Sequence, residues 1–331
     1  MADVANEKFL ITGAFGCIGA WAVKRLVDEG TPVYTYDLPG NPHRLKLIMD
    51  EGQFSQVNII EGDITDAEAF DAAVVDNGIT NVIHLAALQV PMVRANPILG
   101  MRVNVVGSTI VFETARQHMD QVKSVAYASS IAVYGPANLY PAGPVTNDAP
   151  LMPATLYGVS KQADEWAAKV YWQENQLKTV GLRPFFVYGP GRDQGMSSLP
   201  TKAMLAAAID RPFNINFGGS AVYQHAEDVA AAFITAARAD IDGAPCFNLG
   251  GTVETVPEVI DAIEAAVPSI EGKITFDDVV LPFPESMDDT EVNKALGPLS
   301  WRPFEAGVAT TIADFQAAIA AGRLDVERAI G

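Results

Sequence analysis

The first half of the chain alternates short apolar runs with amphipathic segments. The apolar runs predict six buried strands, at residues 9–12, 33–36, 57–60, 81–85, 124–128 and 179–186. Helical periodicity fits residues 18–29, 97–117 and 154–173. Strands that are apolar at nearly every position and are separated by helices are typical of a parallel sheet covered on both faces. The pattern therefore predicts a doubly wound α/β domain of the Rossmann type, with its ligand crevice at the carboxyl ends of the strands.

The regular alternation stops after residue 189. Residues 189–195 predict a loop and residues 200–209 a helix, and the prolines between positions 268 and 303 argue against long elements there. We therefore expect residues 1–189 to form the nucleotide-binding domain. Residues 190–331 are expected to form a smaller, irregular α/β lobe that covers the crevice and binds the substrate, with some strands or helices returning to the first domain.

Composition narrows the class of partner. The 331 residues are 49% hydrophobic and 19% charged, which suits a globular protein with a sizeable core. The net charge of −18 disfavours nucleic acid and anionic membranes as partners, although a helix N-terminus can still bind a small anion. Two cysteines provide neither a disulfide framework nor a metal site. The polar N-terminus and the lack of an 18-residue apolar run lead us to expect a cytoplasmic protein without metal.

A glycine-rich turn lies between the first predicted strand and the first predicted helix. In this GxxGxxG motif Gly13 permits the tight turn, Gly16 lets the backbone approach a pyrophosphate, and Gly19 lets helix and strand pack closely. The helix N-terminus supplies amide groups and partial positive charge. Asp37 ends the second strand, where a carboxylate binds ribose hydroxyls and repels a 2′-phosphate. The motif therefore predicts NAD rather than NADP, with Arg44 as the nearest cation able to moderate that preference.

Residues after the third and fourth strands are candidates for the rest of the cofactor site. Asp63 and Ile64 follow the third strand, where an adenine ring would lie, and the alternative for Asp63 is a helix N-cap. His84 lies inside an apolar strand and is interpreted as a hydrogen-bonded core residue. The cofactor is expected to lie across the small residues that follow it, Leu85, Ala86 and Ala87.

A YxxxK motif carries the strongest chemical signal. Its spacing places Tyr157 and Lys161 on one face of a predicted helix. A phenol in water stays protonated at neutral pH, and a neighbouring ammonium and an oxidised nicotinamide ring both favour the phenolate. Ser130 ends the fifth strand, where its hydroxyl is positioned to hold a substrate oxygen. A surface pair is the alternative, but the glycine turn and the serine favour a catalytic site.

Ten short motifs distributed along the chain support a family resemblance. They are TGAFGCIG (12–19), EGDITD (61–66), HLAA (84–87), NVVGS (104–108), SSIAVYG (129–135), YGVSK (157–161), LRPFFVYGPG (182–191), HAEDVA (225–230), FNLGG (247–251) and LGPLSWRP (296–303). With them the chain resembles an extended short-chain dehydrogenase/reductase of the NAD-dependent epimerase/dehydratase family, whose archetype is UDP-galactose 4-epimerase.

The resemblance implies residue roles. Tyr157 would be the general acid/base, Ser130 the catalytic serine, Lys161 the ligand of the nicotinamide ribose, and Asn104 a support of the hydrogen-bond network. Relatives often dimerise through the helices that carry NVVGS and YGVSK, so a homodimer is expected. The implied NAD contacts are Gly13, Phe15, Gly16, Cys17, Ile18, Gly19, Asp37, Asp63, Ile64, Leu85, Ala86, Ala87, Asn104, Tyr157, Lys161 and Pro184.

Departures from the family pattern concern the substrate. Ser130 is not followed by the acid that family dehydratases use, which disfavours dehydration. Phe186 and Ala221 replace the Asn and Arg that hold a nucleotide diphosphate in epimerases, which disfavours a nucleotide sugar. Arg192 and Lys202 remain as candidate anion contacts, with ordinary surface charges as the alternative. Other candidate substrate contacts are Gln89, Val90, Met92, Ser130 and Ser197.

Three functions are compatible with these residues. The first is an NAD-dependent dehydrogenase that oxidises a secondary alcohol of a sugar, sugar acid or similar small molecule, and the missing nucleotide contacts favour it. The second is an epimerase that keeps NAD bound and works through a transient ketone. The third is a non-catalytic NAD-binding protein, which the intact Tyr157 and Lys161 disfavour.

Overall fold

Seven parallel strands form the central sheet of the structure, a computed structural model that describes residues 6–331. In sheet order they are β10 (Cys246–Asn248), β6 (Thr179–Arg183), β5 (Ser124–Ala128), β4 (Asn81–His84), β1 (Phe9–Thr12), β2 (Val33–Asp37) and β3 (Asn58–Glu61). Phe9 of β1 pairs with Val33 of β2 on one side and with Asn81 of β4 on the other. The chain thus runs outward in both directions from β1, so the predicted doubly wound α/β fold is confirmed.

Helices cover both faces of this sheet. Those of the first half are α1 (Cys17–Asp28), α2 (His43–Ile48), α3 (Glu51–Phe54), α4 (Ala67–Asn77), α5 (Val90–Ala95), α6 (Pro97–Met101), α7 (Gly107–Gln117) and α8 (Leu156–Asn175). Phe9 and Ile11 belong to a core with α1, whereas Leu10 belongs to a core with α4 and α7. Alternate residues of a strand point to opposite faces, which is why the buried strands are apolar at consecutive positions. The prediction that the third strand is buried is wrong, because β3 lies at the edge of the sheet and three of its four residues are exposed.

The predicted helix at 97–117 contains a change of helical pitch. Residues Arg102–Val106 form a π-helical turn between α6 and α7. Such a turn inserts an extra residue in the helix and is frequent at functional sites. By length and composition Pro97–Gln117 would suffice to cross a membrane, but 44% of its most apolar window is buried inside the protein. Its inward face carries the fully buried Asn104, so we interpret it as a core helix.

The predicted strand at 179–186 is wrong in its second half. Strand β6 ends at Arg183, and Phe186–Tyr188 forms a separate strand, β7. Pro184 lies between them and has no N–H to continue the ladder. Strand β7 instead joins a second sheet, in the order β11 (Thr252–Thr255), β9 (Ser220–His225) and β7.

The second half of the chain builds a smaller lobe and also returns to the first. The lobe contains the second sheet, the two-stranded pair β8 (Phe213–Ile215) and β12 (Ile274–Phe276), and the helices α9 (Leu199–Ala208), α11 (Val256–Ala266), α13 (Phe304–Ala320) and α14 (Val326–Ile330). Helix α12 (Thr290–Leu296) packs on β10, and its Val292 belongs to the core of the central sheet. Helix α10 (Ala226–Arg238) packs on α1, and β10 extends the central sheet beside β6. Residues on both sides of position 189 therefore share the main sheet.

Candidate active site

The glycine turn has the geometry of a phosphate-binding loop. Gly13 has a φ of +67°, and a Cβ there would lie 2.7 Å from the Ala86 nitrogen. A Cβ on Gly19 would lie 2.4 Å from the Gly13 oxygen, so helix and turn pack closer than any side chain allows. Gly16 is the N-cap of α1 and supplies no side-chain bond, and the first turn has no acid. The first amides of α1 thus remain available to an anion, and the residues fit the pyrophosphate of NAD.

Asp37 lies at the end of β2 beside this turn. Its Oδ2 accepts a hydrogen bond from the Phe15 amide at 2.8 Å, and its Oδ1 accepts one from the Leu38 amide at 2.9 Å. Burial raises the pKa of Asp37, although these amide bonds and Arg44 oppose the rise. The carboxylate is half-buried at the expected ribose site.

Arg44 is held by other groups. Its Nε and Nη2 donate to Asp193 Oδ1 at 3.0 and 2.5 Å, and its Nη1 donates to the Phe15 carbonyl at 2.8 Å. Arg44 is thus paired, but its charge still acts on Asp37, and its effect on the cofactor preference stays a prediction. Arg44 also ties the glycine turn to the loop after β7.

Asp63 and Ile64 occupy the loop after β3. Asp63 Oδ1 accepts from the amide and hydroxyl of Thr65, both at 2.9 Å. The alternative that Asp63 caps α4 is wrong, because Asp66 is the N-cap and accepts from the Ala69 amide. Ile64 is buried, and a Cβ on Gly107 would lie 3.0 Å from its Cγ2.

His84 is a core histidine, as predicted. Its Nδ1 lies 2.7 Å from Thr12 Oγ1 and its Nε2 lies 3.0 Å from Ser108 Oγ. The Thr12 oxygen accepts from the amides of Leu85 and Ala86, so its proton is directed to Nδ1. Burial lowers the pKa of His84 to about 3, with a further contribution from Lys161, and the ring stays neutral. It orients the segment of 85–87, which is half-buried and borders the crevice.

Asn104 links that segment to α8. Its Oδ1 accepts from the Leu88 amide at 2.7 Å, and its Nδ2 donates to the Leu88 carbonyl at 3.0 Å and to Ser160 Oγ at 3.1 Å. Ser160 in turn donates to the Tyr157 carbonyl at 2.7 Å. Asn104 has no exposed surface. It therefore supports the network as expected, but it offers no surface for the NAD contact that the resemblance implied.

Tyr157 lies in the first turn of α8, facing the loop that follows β5. A Cβ at Gly158 would lie 2.1 Å from the Ala132 carbonyl, so only glycine lets α8 approach this loop so closely. Ser130 caps the short 3-10 turn Ile131–Val133, and its Oγ accepts from the Ala132 amide at 3.2 Å. Tyr157 and Ser130 are both half-buried. The close packing brings their two elements together at the crevice.

Lys161 extends from the same face of α8 into the protein. Its Nζ lies 3.3 Å from Asp164 Oδ2, and both side chains are almost fully buried. Burial raises the pKa of Asp164 to about 6, although Lys161 and Ser108 oppose the rise. Sequence reasoning missed Asp164; the signal was an acid three residues after the lysine, on the same helix face.

A buried ion pair behind the serine was also missed. Arg183 Nε and Nη2 donate to the two oxygens of Glu165 at 2.8 and 2.7 Å, and Ser129 Oγ donates to Glu165 at 2.5 Å. Arg183 Nη1 donates to the Tyr134 hydroxyl at 2.6 Å. The pair connects β5, β6 and α8 beneath the site, and the arginine pairing lowers the pKa of Glu165 against the effect of burial.

The remaining residues that the sequence predicts as substrate or cofactor contacts have different surroundings in the structure. Arg192 Nη2 donates to Ser197 Oγ at 2.5 Å, and Gln89 Oε1 lies beside Gly195. Lys202 lines, with Arg192 and Arg328, a cleft that Tyr157 and Ser130 do not line. Val90 begins α5, and Met92 on the same helix is 39% exposed. Pro184 is buried, and its carbonyl accepts a hydrogen bond from the Ile131 amide. Ile18 is half-buried, and burial raises the pKa of the Cys17 thiol to about 11.

These features define an NAD-binding oxidoreductase site on a doubly wound sheet. A family model, NAD dependent epimerase/dehydratase, matches residues 9–250. The chain is 31% identical over 324 residues to a UDP-glucose 4-epimerase of Mycolicibacterium smegmatis, covering 93% of this chain and 98% of that protein. It is also 32% identical over 189 residues to a D-erythronate dehydrogenase of Cupriavidus necator, covering 53% of this chain and 56% of that protein.

Solved structures share the fold. A UDP-N-acetylglucosamine 4-epimerase from Methanobrevibacter ruminantium superposes with a TM-score of 0.80 at 24% identity, covering 94% of this chain and 99% of that one. An L-threonine dehydrogenase from Cupriavidus necator superposes with a TM-score of 0.77 at 23% identity, with the same coverage. The chain belongs to the NAD-dependent epimerase/dehydratase family, and its cofactor is NAD.

Proposed function

We propose that this protein is a dehydrogenase that oxidises a secondary alcohol of a sugar, a sugar acid or a similar small hydroxylated molecule. Tyr157 accepts the hydroxyl proton, and Ser130 donates a hydrogen bond to the same oxygen. Lys161 favours the phenolate through its charge. NAD, when bound, supplies the hydride acceptor, so that the alcohol becomes a ketone.

The hydrogen-bond network supports these roles by fixing the reacting groups. The Tyr157 carbonyl is bound by Ser160, and Ser160 is bound by the amide of Asn104. The same amide group holds both backbone groups of Leu88. The general base and the strand end that borders the cofactor are thereby held in one rigid unit, as positioned proton transfer requires.

The environment of Phe186 is the observation that favours a substrate without a nucleotide. Phe186 is 6% exposed and packs edge-to-face on Phe217 and Tyr223, with ring centroids 5.7 and 5.9 Å apart. Ala221 is 7% exposed in the neighbouring strand β9. An aromatic cluster offers no charge-assisted hydrogen bond to a diphosphate, which the family's epimerases hold with Asn and Arg at these positions.

The second candidate is a nucleotide-sugar epimerase. The full-length similarity to a UDP-glucose 4-epimerase favours it, and the same Tyr157, Ser130 and Lys161 would serve it. An epimerase returns the hydride to its product and leaves the cofactor unchanged, whereas a dehydrogenase accumulates NADH.

Product analysis separates the two functions. The protein is incubated with NAD and a panel of hexuronates, hexonates, aldoses, polyols and short hydroxy acids, and separately with UDP-glucose and UDP-galactose. We expect NADH absorbance to grow with turnover on a member of the panel, and Tyr157→Phe to abolish it. Interconversion of the UDP-sugars at constant NADH absorbance would instead establish the epimerase. Turnover that survives in Tyr157→Phe would contradict both.

An exposed apolar face supports a homodimer. Ile98 is 84% exposed, Trp166 56%, Val106 47% and Val170 44%. These side chains lie on α6, the π-helical turn and α8, the elements through which relatives were expected to pair. Contiguous apolar surface of this kind on a folded protein is typical of an interface. We place the dimer in the cytoplasm, with reduced Cys17 and Cys246 and without nucleic acid or membrane as partner.

A further inference from the structure

Arg192 is a half-buried cation that pairs with no carboxylate in the described part of the chain. Its Nη2 donates to Ser197 Oγ at 2.5 Å, and its Nε is buried and makes no hydrogen bond within residues 6–331. No carboxylate of that described part lies within 4 Å of it. The neighbouring Asp193 does not neutralise it, because Asp193 is bound by Arg44, His43 and Arg328.

The loop that carries Arg192 is fixed over the start of α1. Trp21 Nε1 donates to the Pro190 carbonyl at 2.9 Å, and Arg44 holds Asp193 against the Phe15 carbonyl. The Pro190 carbonyl also lies 4.0 Å from Cys17 Sγ, in the first turn of α1. Arg192 therefore belongs to a loop that is fixed beside the phosphate-binding turn.

Two further candidate substrate contacts converge on the same place. Gly195 has a φ of +82°, and a Cβ built on it would lie 2.7 Å from Gln89 Oε1 and 4.0 Å from Arg192 Nη2. The missing side chain keeps open the space between an amide, a hydroxyl and a guanidinium. These are hydrogen-bonding groups suited to a small polar anion.

An arginine stays protonated inside a protein, and a bound anion would supply the acceptor that the buried Nε of Arg192 lacks. One guanidinium matches one carboxylate, which it binds through two parallel N–H groups. A nucleotide diphosphate carries more charge than this position compensates. The pyrophosphate of NAD already has the first amides of α1, those of Cys17 and Ile18.

We propose that Arg192 binds a carboxylate of the substrate, with Ser197 and Gln89 beside it, and that the substrate is therefore a hydroxy acid rather than a neutral sugar or polyol. This inference rests on the proposed dehydrogenase function. The second source of an anion at this position is the pyrophosphate of NAD, and the experiment separates the two.

The test compares Arg192→Gln with wild-type protein and with Arg211→Gln, an exposed arginine paired with Glu327. Paired substrates differ only in the acid: D-gluconate against sorbitol, and D-glucuronate against D-glucose. We expect the ratio of kcat/KM for acid over neutral analogue to fall about 100-fold in Arg192→Gln, chiefly through KM. The affinity for NADH, followed by its fluorescence, should change by less than about twofold, and Arg192→Lys should recover part of the ratio.

A binding assay keeps the inference testable if no panel member is oxidised. The acids are titrated into the protein–NADH complex by calorimetry, and binding to wild-type protein that Arg192→Gln loses would support the carboxylate site although the proposed function had failed. Three outcomes would overturn it: weaker NADH binding in Arg192→Gln by the same factor as the loss of activity, a wild-type preference for the neutral analogues, or no acid bound by the wild-type complex. The first of these would assign Arg192 to the pyrophosphate. Thermal melting checks that each variant is folded.

Discussion

Lys161 Nζ lies 3.3 Å from Asp164 Oδ2, one helical turn from Tyr157, in a setting where the two side chains are 2% and 1% exposed. The second oxygen of Asp164 is buried and has no hydrogen-bond partner in the described part of the chain. Burial raises the pKa of Asp164 to about 6. Asp164 therefore loses the negative charge that opposes the Lys161 ammonium as the pH falls through about 6.

The first prediction concerns Asp164→Asn. Above about pH 6 the negative charge of the Asp164 carboxylate weakens the stabilisation that the Lys161 ammonium gives to the Tyr157 phenolate. The neutral side chain of asparagine at position 164 removes this opposing charge. We expect the acid limb of kcat/KM against pH to move down by about 0.5–1 pH unit. The same change in Glu174→Gln, an exposed acid near the end of α8, should leave the limb in place.

The folded fraction of each variant is measured at every pH and the rates are divided by it, so a loss of stability in Asp164→Asn does not obscure the result. Such a loss is expected, because Lys161 remains buried without its counter-ion. An acid limb that stays in place or moves to higher pH would show that Asp164 does not act on the catalytic tyrosine.

The second prediction concerns cofactor choice. Asp37 lies at the proposed ribose site, Leu38 beside it is 57% exposed, and Arg44 is paired with Asp193. Replacing Asp37 by Ser and Leu38 by Arg removes the repulsion of a 2′-phosphate and adds a cation. We expect the ratio of kcat/KM for NAD over NADP to fall by about 100-fold. Asp76→Ser, on the exposed face of α4, is the matched control, and an unchanged ratio in the double variant would disprove the role of Asp37.

The third prediction concerns the homodimer. Glutamates at Ile98 and Trp166 place charges in the proposed interface, where burial of an unpaired charge is unfavourable. We expect the double variant to be a monomer by light scattering at concentrations where the wild-type protein is a dimer. Val279 and Val280 are 57% and 66% exposed but lie far along the chain in the second lobe, and glutamates there should leave the dimer intact. A monomeric wild-type protein would refute the proposal.

Six of the seven strands of the central sheet were predictable because each of those six carries its own signal. A strand buried on both faces is apolar at consecutive positions, and residues 9–12 and 124–128 matched the observed β1 and β5 without change. The division at Pro184 carried a local signal too, the missing N–H, but the apolar run masked it. The glycine turn and the tyrosine–lysine pair could also be predicted, because the residues of each motif are close together in the sequence.

Features that depend on contacts between residues distant in sequence could not be predicted from the sequence. Strand β10 has three residues, and its place beside β6 follows from packing that no short pattern encodes. The Arg183–Glu165 pair joins a strand to a helix, and neither residue stands in an unusual sequence context. The commitment of Arg44 to Asp193 spans 149 positions, so its effect on the cofactor site emerged only from the structure.

The fourth prediction concerns the Arg183–Glu165 pair. The two side chains are 4% and 0% exposed, and Ser129 and Tyr134 complete their hydrogen bonds. Glu165→Gln leaves the guanidinium without its counter-ion, and we expect the free energy of unfolding to fall by about 3–5 kcal/mol. The exposed pair of Arg211 and Glu327 offers the control, since Glu327→Gln should leave the free energy of unfolding almost unchanged. Urea unfolding measures both, and equal losses would contradict the structural role.

The fifth prediction concerns acid stability and two buried histidines. His84 lies between Thr12 and Ser108, and His225 caps α10 by accepting from the Glu227 amide at 3.2 Å while its ring packs on Trp21 and Tyr188. Burial lowers the pKa of each to about 3, and Lys161 and Arg302 add to the respective effects. Both rings are therefore neutral in the folded protein well below neutral pH.

The direction in which these histidines change the folding stability with pH follows from proton linkage. An unfolded histidine has a pKa of about 6.5, so below that pH the unfolded chain binds protons that the folded protein excludes. The stabilisation is complete above pH 6.5 and is lost as the pH falls towards 3, at about 1.4 kcal/mol per pH unit for each histidine. At pH 5 this amounts to about 2 kcal/mol per residue.

The variant His225→Asn isolates one of these contributions, because asparagine also caps a helix N-terminus but does not titrate. We expect the decrease in unfolding free energy between pH 7 and pH 5 to be smaller by about 2 kcal/mol than in wild-type protein. His118→Asn, at the surface beside Asp71, should alter that decrease far less. Urea unfolding of the apo-protein at pH 7 and pH 5 gives the free energies of unfolding that this comparison needs. If the decrease were identical in His225→Asn and wild-type protein, His225 would already be protonated in the folded state.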